Sequence, residues 1–316
     1  MKSPARRFTL VMLAMSVIFV GGPVLLNYLV DPYDRFGNNK LGIFIMAERE
    51  MKGSEVMRYP HNALLIGNSR IAEIPVSQLK MEGFRFFNGS FAAANAEEIY
   101  WFIHHHAHKQ ELVVLGIDMG TQDPPVLQGD IFRRDDWAAA TEHLVNLQTV
   151  EYSIKTLTSH FSGKKSRYLP DGSVAAMDWG EPAKQADPLV GKRHMDSLKG
   201  AMAIRVTQPT RSLSFYRKIA DTLRERKIPC VVVMPPMHEE VNRHFEALNL
   251  QGACQAWLDE IRTIFPNIVN LTSSPYGAAS GFYPRDPVHY KPEVGVQFMN
   301  AEVLPFAMKV VGERRK

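Results

Sequence analysis

Asn62 to Pro75 reads NALLIGNSRIAEIP, an apolar run, Ala63 to Ile66, that passes directly into Gly67-Asn68-Ser69-Arg70. A short apolar run of this kind predicts a buried strand, and the tetrapeptide stands where the strand ends. Ser69 there has two readings. A serine just ahead of a helix caps it well. A serine at the carboxyl end of a parallel strand also sits where open α/β folds assemble their sites, beside outward-pointing backbone N–H groups able to hold an oxyanion. Those residues alone leave both readings open.

Similar runs recur downstream: RFF (85–87), LVVLGI (112–117), CVVVM (230–234) and NIVNL (267–271). Amphipathic helical patterns separate most of them: AEEIYWFIHHHAHKQ, SFYRKIADTLRERK, EEVNRHFEALNL, CQAWLDEIRTIF and finally PEVGVQFMNAEVLPFAMKVV. Continuous apolar strands alternating with such helices predict an α/β fold with a mainly parallel five-stranded sheet covered on both faces, a three-layer sandwich. From about 124 to 209 the alternation breaks. One helix is expected around Ala138 to His160, then the loop-like RYLPDGSVAAMDWGEP. An insertion between core strands is read as a lid or specificity element over the sheet ends.

The chain has 316 residues, 45% hydrophobic and 22% charged, which excludes disorder and predicts one large domain with insertions. Its formal charge of +4 is spread out. The short basic clusters ARR, GKKSR (163–167) and GERRK give no concentrated phosphate-tracking element, so no nucleic-acid partner is expected. Cys230 and Cys254 cannot build a disulfide framework, although one bridge remains open. Lys2, Arg6 and Arg7 precede Phe8 to Val30, a stretch without a charged residue. That length predicts an uncleaved membrane anchor over residues 1–30, with a cleaved signal peptide as the alternative. The basic residues put the remainder across the membrane, on the periplasmic or extracellular side of the inner membrane if the host is a bacterium. Residues 31–59, opening with DPYDRFGNN, are read as a linker and a poorly patterned approach. The domain proper is expected over 60–316.

Near the other end, GFYPRDPVHYKPEVG places Asp286 and His289 three apart, just before a helix starting near Pro292. A turn there can set the carboxylate against one imidazole nitrogen while the other faces a nucleophile, the arrangement of an oriented general base. Arg70, Asp118 at the end of the third run, and His238 in PPMHEE are candidates for lining a substrate pocket. Ion pairing, loop hydrogen bonding and a solvated helix start are their structural alternatives. The HHHAH run (His104, His105, His106, His108) has no accompanying metalloprotease glutamate and closes a helix where cationic groups are favoured, so no metal or cofactor is expected. Trp137, Tyr168 and Trp179 in the insertion are read as packing residues, with sugar stacking as the alternative.

Taken together, IGNSR and DPVHY resemble the SGNH (GDSL-type) hydrolase superfamily, which carries its serine in the first strand-to-helix turn and Asp-x-x-His before the last helix. The resemblance implies a catalytic triad of Ser69, His289 and Asp286. It also implies an oxyanion hole from the N–H groups of Ser69 and of Gly89, in FFNGSF. A third donor is implied from Gly120-Thr121-Gln122-Asp123, where Gln122 stands in the family's asparagine position, with Asn95 as substitute. GNSR, the single anchor and HYKPEVG are similar to the membrane-anchored branch that acylates cell-envelope polymers, such as the alginate acetyltransferases and the accessory protein of teichoic-acid D-alanylation. The implied activity is O-acyl transfer or ester hydrolysis, with acetyl the expected group, on an exported polysaccharide. A membrane-bound O-acyltransferase is the implied partner. A catalytically silent polymer-binding or recruiting scaffold and a lipid-directed esterase or thioesterase are the alternative readings.

Overall fold

A computed structural model describes residues 4–44, 48–118, 132, 137–174, 188–207, 212–283 and 286–314. Helices α1 (Pro4–Ser16) and α2 (Gly22–Val30) are joined by a π-helical turn, Val17–Gly21. The wide turn lies just ahead of Pro23, whose ring nitrogen has no proton for the helical ladder. The whole helix, Pro4–Val30, is long and apolar enough to cross a membrane. Asp31 ends it in the left-handed region (φ 46°). The Asp31 carboxylate accepts the N–H groups of Arg35, Phe36 and Asn38 at 2.7, 2.8 and 3.0 Å. DPYDRFGNN is therefore a built turn. The approach segment, expected to lack pattern, contains helix α3 (Glu48–Arg58).

The core then begins: β1 (Ala63–Ile66), α4 (Ser69–Ala72), β2 (Phe86–Asn88), α5 (Ala96–His106) and β3 (Leu112–Gly116). Next come α6 (Trp137–Val145), α7 (Leu147–Phe161), α8 (Pro188–Thr207), α9 (Ser212–Glu225) and β4 (Cys230–Met234). After α10 (Glu239–Ala247), α11 (Gln251–Ile264) and β5 (Ile268–Asn270), a small hairpin pairs β6 (Phe282–Tyr283) with β7 (Asp286–Tyr290). The chain closes with α12 (Pro292–Phe298), a π turn and α13 (Leu304–Arg314). The second π turn, Met299–Val303, again precedes a proline, Pro305. The single helix expected over Ala138 to His160 is two, because Asn146 interrupts it and its side chain caps α7 by accepting the N–H of Gln148 at 2.8 Å.

Two compact units result: Met1–Glu55 with Arg133–Tyr168, and Val56–Phe132 with Leu169–Lys316. This division differs from the expected 1–30, 31–59 and 60–316, since the first part of the insertion belongs with the N-terminal segment.

In the second unit all five strands are parallel, in the order β2-β1-β3-β4-β5. Successive strand residues face opposite ways, which accounts for the continuous apolar runs. Leu64, Ile66, Val113, Leu115 and Val232 pack with Ile99 and Phe102 of α5, Ile219 and Leu223 of α9, and Ile261 of α11. Ala63, Leu65, Val114, Val231 and Val233 pack instead with Phe298, Val303, Leu304 and Ala307 from the C-terminal helices. Phe102 is fully buried in this packing, so truncating it to alanine would cost about 3–5 kcal/mol. The strand order reverses at β1 and β3, so the crevice beyond their carboxyl ends lies at the topological switch point, where such folds bind ligands.

Candidate active site

The loop between β1 and α4 is made possible by two close approaches. A Cβ on Gly116 would lie 2.2 Å from Ile71 Cγ1, and one on Gly67 would lie 2.8 Å from the same atom. These glycines give Ile71 room above the strand ends, so the helix can start one residue after Gly67-Asn68. Asn68 is its cap, with its side-chain oxygen accepting the N–H of Arg70 at 3.1 Å. Ser69 is the first helical residue, not the cap. As a first-turn residue its N–H has no partner within the helix.

Ser69 Oγ lies 2.9 Å from His289 Nε2, and His289 Nδ1 lies 2.6 Å from Asp286 Oδ2. The Asp-x-x-His segment is strand β7, and residues three apart on a regular strand would face opposite ways. Asp286 Oδ1 overcomes that by accepting the N–H groups of Val288 and His289 at 3.0 and 3.3 Å, which folds the strand onto the carboxylate. Burial pushes the Asp286 carboxyl up. The His289 hydrogen bond and charge, with the two backbone donors, outweigh it and hold the group below its ordinary value. The next residue, Tyr290, is buried and donates its hydroxyl to the carbonyl of Arg70 at 2.6 Å. That bond ties β7 to α4, and with it the Asp286–His289 pair to Ser69.

Ser69 opens onto a cleft of about 110 Å³ whose walls include Arg70, Asp118, His238 and, from α8, Leu198 and Met202. The later part of the expected lid thus does line the site. Arg70 is buried and pairs through Nη1 with Asp118 Oδ2 at 2.8 Å, while Nη2 donates to the carbonyl of Pro236. Its guanidinium carbon lies 5.5 Å from the Tyr290 ring centroid. Arg70 and Asp118 are in this way both an ion pair and part of the cleft wall. His238 is buried and caps α10, its Nδ1 accepting the N–H of Glu240 at 3.2 Å, which leaves the neutral-ring proton on Nε2. Burial, against the pull of Glu240 and Glu239, lowers its pKa.

The expected oxyanion donors fare differently. The Gly89 N–H donates to the Leu65 carbonyl at 2.8 Å, continuing the β1–β2 ladder, so it is not directed at Ser69. The glycine is required by packing instead, since its Cβ would meet Phe102 at 2.8 Å. Asn95 caps α5: its Oδ1 accepts the Glu98 N–H at 3.0 Å, while Glu98 Oε2 accepts the Asn95 N–H and side-chain amide at 3.2 and 3.0 Å. Asn-x-x-Glu ahead of an apolar run is a capping-box pattern, and it was the signal for this role. Gln122 lies outside the described residues, as does Trp179, and the Trp137 side chain is also outside them. Tyr168 belongs to the first unit and donates to Glu48 Oε1 at 2.9 Å. The HHHAH run ends α5, where Arg226 caps the carbonyls of Ile103, His104 and Ala107 at 2.9 to 3.0 Å. Cys230 and Cys254 are free thiols.

One important residue escaped the reading of the sequence. Asn88, fully buried at the end of β2, shares the two protons of its Nδ2 among the carbonyls of Ile71, Ala72 and Ile74, at 3.1, 3.2 and 3.0 Å, and accepts the Ser90 N–H at 3.0 Å. It anchors the back of the short helix whose front is Ser69. No family model matches the chain, and no curated protein matches it.

Proposed function

We propose that this chain is a membrane-anchored serine O-acyltransferase or esterase of SGNH type that acts on acyl groups, acetyl above all, of an exported or cell-envelope polysaccharide. The observation that carries the reading is the chain of contacts Ser69 Oγ, His289 Nε2, His289 Nδ1 and Asp286 Oδ2, at 2.9 and 2.6 Å. With the Nδ1 proton donated to Asp286, Nε2 accepts the Ser69 proton as Oγ attacks the ester carbonyl carbon. The tetrahedral oxyanion gains the Ser69 N–H. Collapse breaks the ester C–O bond, and the departing alkoxide takes the proton from Nε2, leaving an acyl-serine. Water or a sugar hydroxyl then gives its proton to Nε2 and attacks the acyl carbon, and Ser69 Oγ leaves with that proton. A short-chain limit among p-nitrophenyl esters separates this reading from a lipid-directed esterase or thioesterase. The anchor reading of Pro4–Val30, with Lys2, Arg6 and Arg7 on the cytoplasmic side, supports action outside the cytoplasm beside a membrane-bound O-acyltransferase.

A second reading, a catalytically silent polymer-binding or recruiting scaffold, is favoured by one observation: Gly89 and Asn95 already spend their donors within the fold. Fluorophosphonate labelling and hydrolysis of p-nitrophenyl acetate separate the two. Catalysis requires labelling at Ser69 and loss of turnover in Ser69→Ala and His289→Ala proteins that keep their fold. An unlabelled, inactive wild-type protein would leave the scaffold.

A further inference from the structure

Helix α7 turns its small polar residues inward and its apolar residues outward. It buries Thr149, Ser153 and Thr156, while Leu147, Ile154 and Phe161 are 81%, 51% and 82% exposed. With the half-buried Val150 and Leu157, these residues recur at alternating spacings of three and four from one end of α7 to the other, and so form one stripe. The polar side is occupied. Asn27 of α2 is buried there, donating Nδ2 to the Leu144 carbonyl at 2.9 Å and accepting the Ser153 hydroxyl at 3.0 Å.

The depth of that junction follows from counting. A bilayer core of about 30 Å takes about 20 helical residues. Counted from Phe8, the first residue after Arg6 and Arg7, such a span ends at Asn27. The α6–α7 pair joins the Pro4–Val30 helix where the hydrocarbon runs out, at the level of the lipid headgroups. Charge agrees with that depth: Lys164 and Lys165, both exposed, follow the stripe directly, with Arg167 just beyond. A cationic cluster bordering an apolar stripe is the make-up of a helix lying on anionic lipid.

We propose that α7 lies in the membrane surface, with Leu147, Val150, Ile154, Leu157 and Phe161 in the boundary between headgroups and acyl chains. Lys164 and Lys165 sit on the phosphates of anionic lipid. The proposal rests on Pro4–Val30 spanning a bilayer and is independent of the acyl-transfer chemistry.

The test uses the full chain in vesicles of equal parts phosphatidylglycerol and phosphatidylcholine. The photocrosslinker p-benzoylphenylalanine replaces, one at a time, Ile154, Phe161, Gln148, which is exposed away from the stripe, and Leu13 within the span. Lipid adducts, read by mass spectrometry, are expected at Leu13, Ile154 and Phe161 and not at Gln148. Phosphatidylglycerol adducts at Phe161 should outnumber phosphatidylcholine adducts several-fold, and the excess should vanish in Lys164→Glu/Lys165→Glu. Adducts at Leu13 without any at Ile154 and Phe161 would overturn the proposal, as would equal labelling at Gln148, adducts to protein instead of lipid, or no preference for the anionic lipid. Absence of adducts at Leu13 would remove the span and the proposal together.

Discussion

Asn68 caps the helix that Ser69 begins, accepting the N–H of Arg70 at 3.1 Å while the Ser69 hydroxyl lies 2.9 Å from His289 Nε2. Helix capping and the contact with His289 are therefore divided between neighbours. For the proposed acyl transfer the division matters, because a hydroxyl engaged with its own helix N-terminus would have to break that bond before each attack.

The two duties separate by mutation. Asn68→Ala is expected to lower stability by about 1 kcal/mol through the lost cap. Ser69→Ala should stay within about 0.5 kcal/mol of wild type and lose ester turnover. Urea unfolding of the solubilised full-length protein, run beside p-nitrophenyl acetate hydrolysis, checks both. A large stability loss in Ser69→Ala would assign the cap to the wrong residue.

Asp286 sets an acid limb on stability. Its carboxyl is held below the ordinary value in the fold, so as pH falls the unfolded chain binds the proton first. The stabilisation is complete above the ordinary carboxylate range and is lost as pH drops through it toward the lower folded value. Asp286→Asn should flatten that part of the profile, measured as urea midpoints between neutral pH and about pH 3. The same substitution presents the wrong partner to His289 Nδ1, and a fall in kcat of the order of 10⁴ is expected.

Asn88 predicts coupling between the sheet and Ser69. Asn88→Leu would remove the amide shared by three carbonyls, of which those of Ile71 and Ala72 still accept the N–H groups of Ile74 and Val174, costing about 1–3 kcal/mol. Since Asn88 holds the back of α4 and is no part of the contact chain at Ser69, it is a positioning residue. The expected signature in protein that remains folded is a lower kcat with little change in KM, resolved by steady-state kinetics at reduced temperature.

Arg70 and Asp118 should behave as a buried pair. Asp118→Ala leaves the Arg70 charge uncompensated in a site where both side chains are about nine-tenths buried, and a loss of about 3–5 kcal/mol is expected. Arg70→Met/Asp118→Leu should recover much of it. A double-mutant cycle by denaturant unfolding measures the coupling, and strictly additive losses would deny the pair.

Much of the architecture was legible because it rests on short-range pattern. ALLI, LVVLGI and CVVVM are strands that could only be buried on both faces, and their alternation with helices leads to a parallel layered fold without knowledge of any contact. The resting geometry of Asp286 and His289 was also within reach, since three residues and one carboxylate define the bend. Gly89 and Asn95 suit an oxyanion donor by their placement after the second strand, and their spent donors could not be read from placement. Whether a donor is available depends on who else accepts from it, here Leu65 and Glu98. The division into two units was illegible for the same kind of reason: α7 packs its polar side on α2, more than a hundred residues away in the chain, through a hydrogen bond to Asn27 that leaves no periodic trace.

The sequence by itself determined that a strand ends at Gly67-Asn68-Ser69, that the sheet is parallel, and that an Asp-x-x-His segment precedes the last helices, because each follows from local hydrophobicity, chain stiffness and spacing. Only the tertiary structure decided that Asn68 and not Ser69 caps the helix, that Asn88 secures its far end, and that His289 reaches Ser69 from 220 positions downstream. Those outcomes turn on directions of individual donors and acceptors, which are set when separate segments are packed against one another and not before.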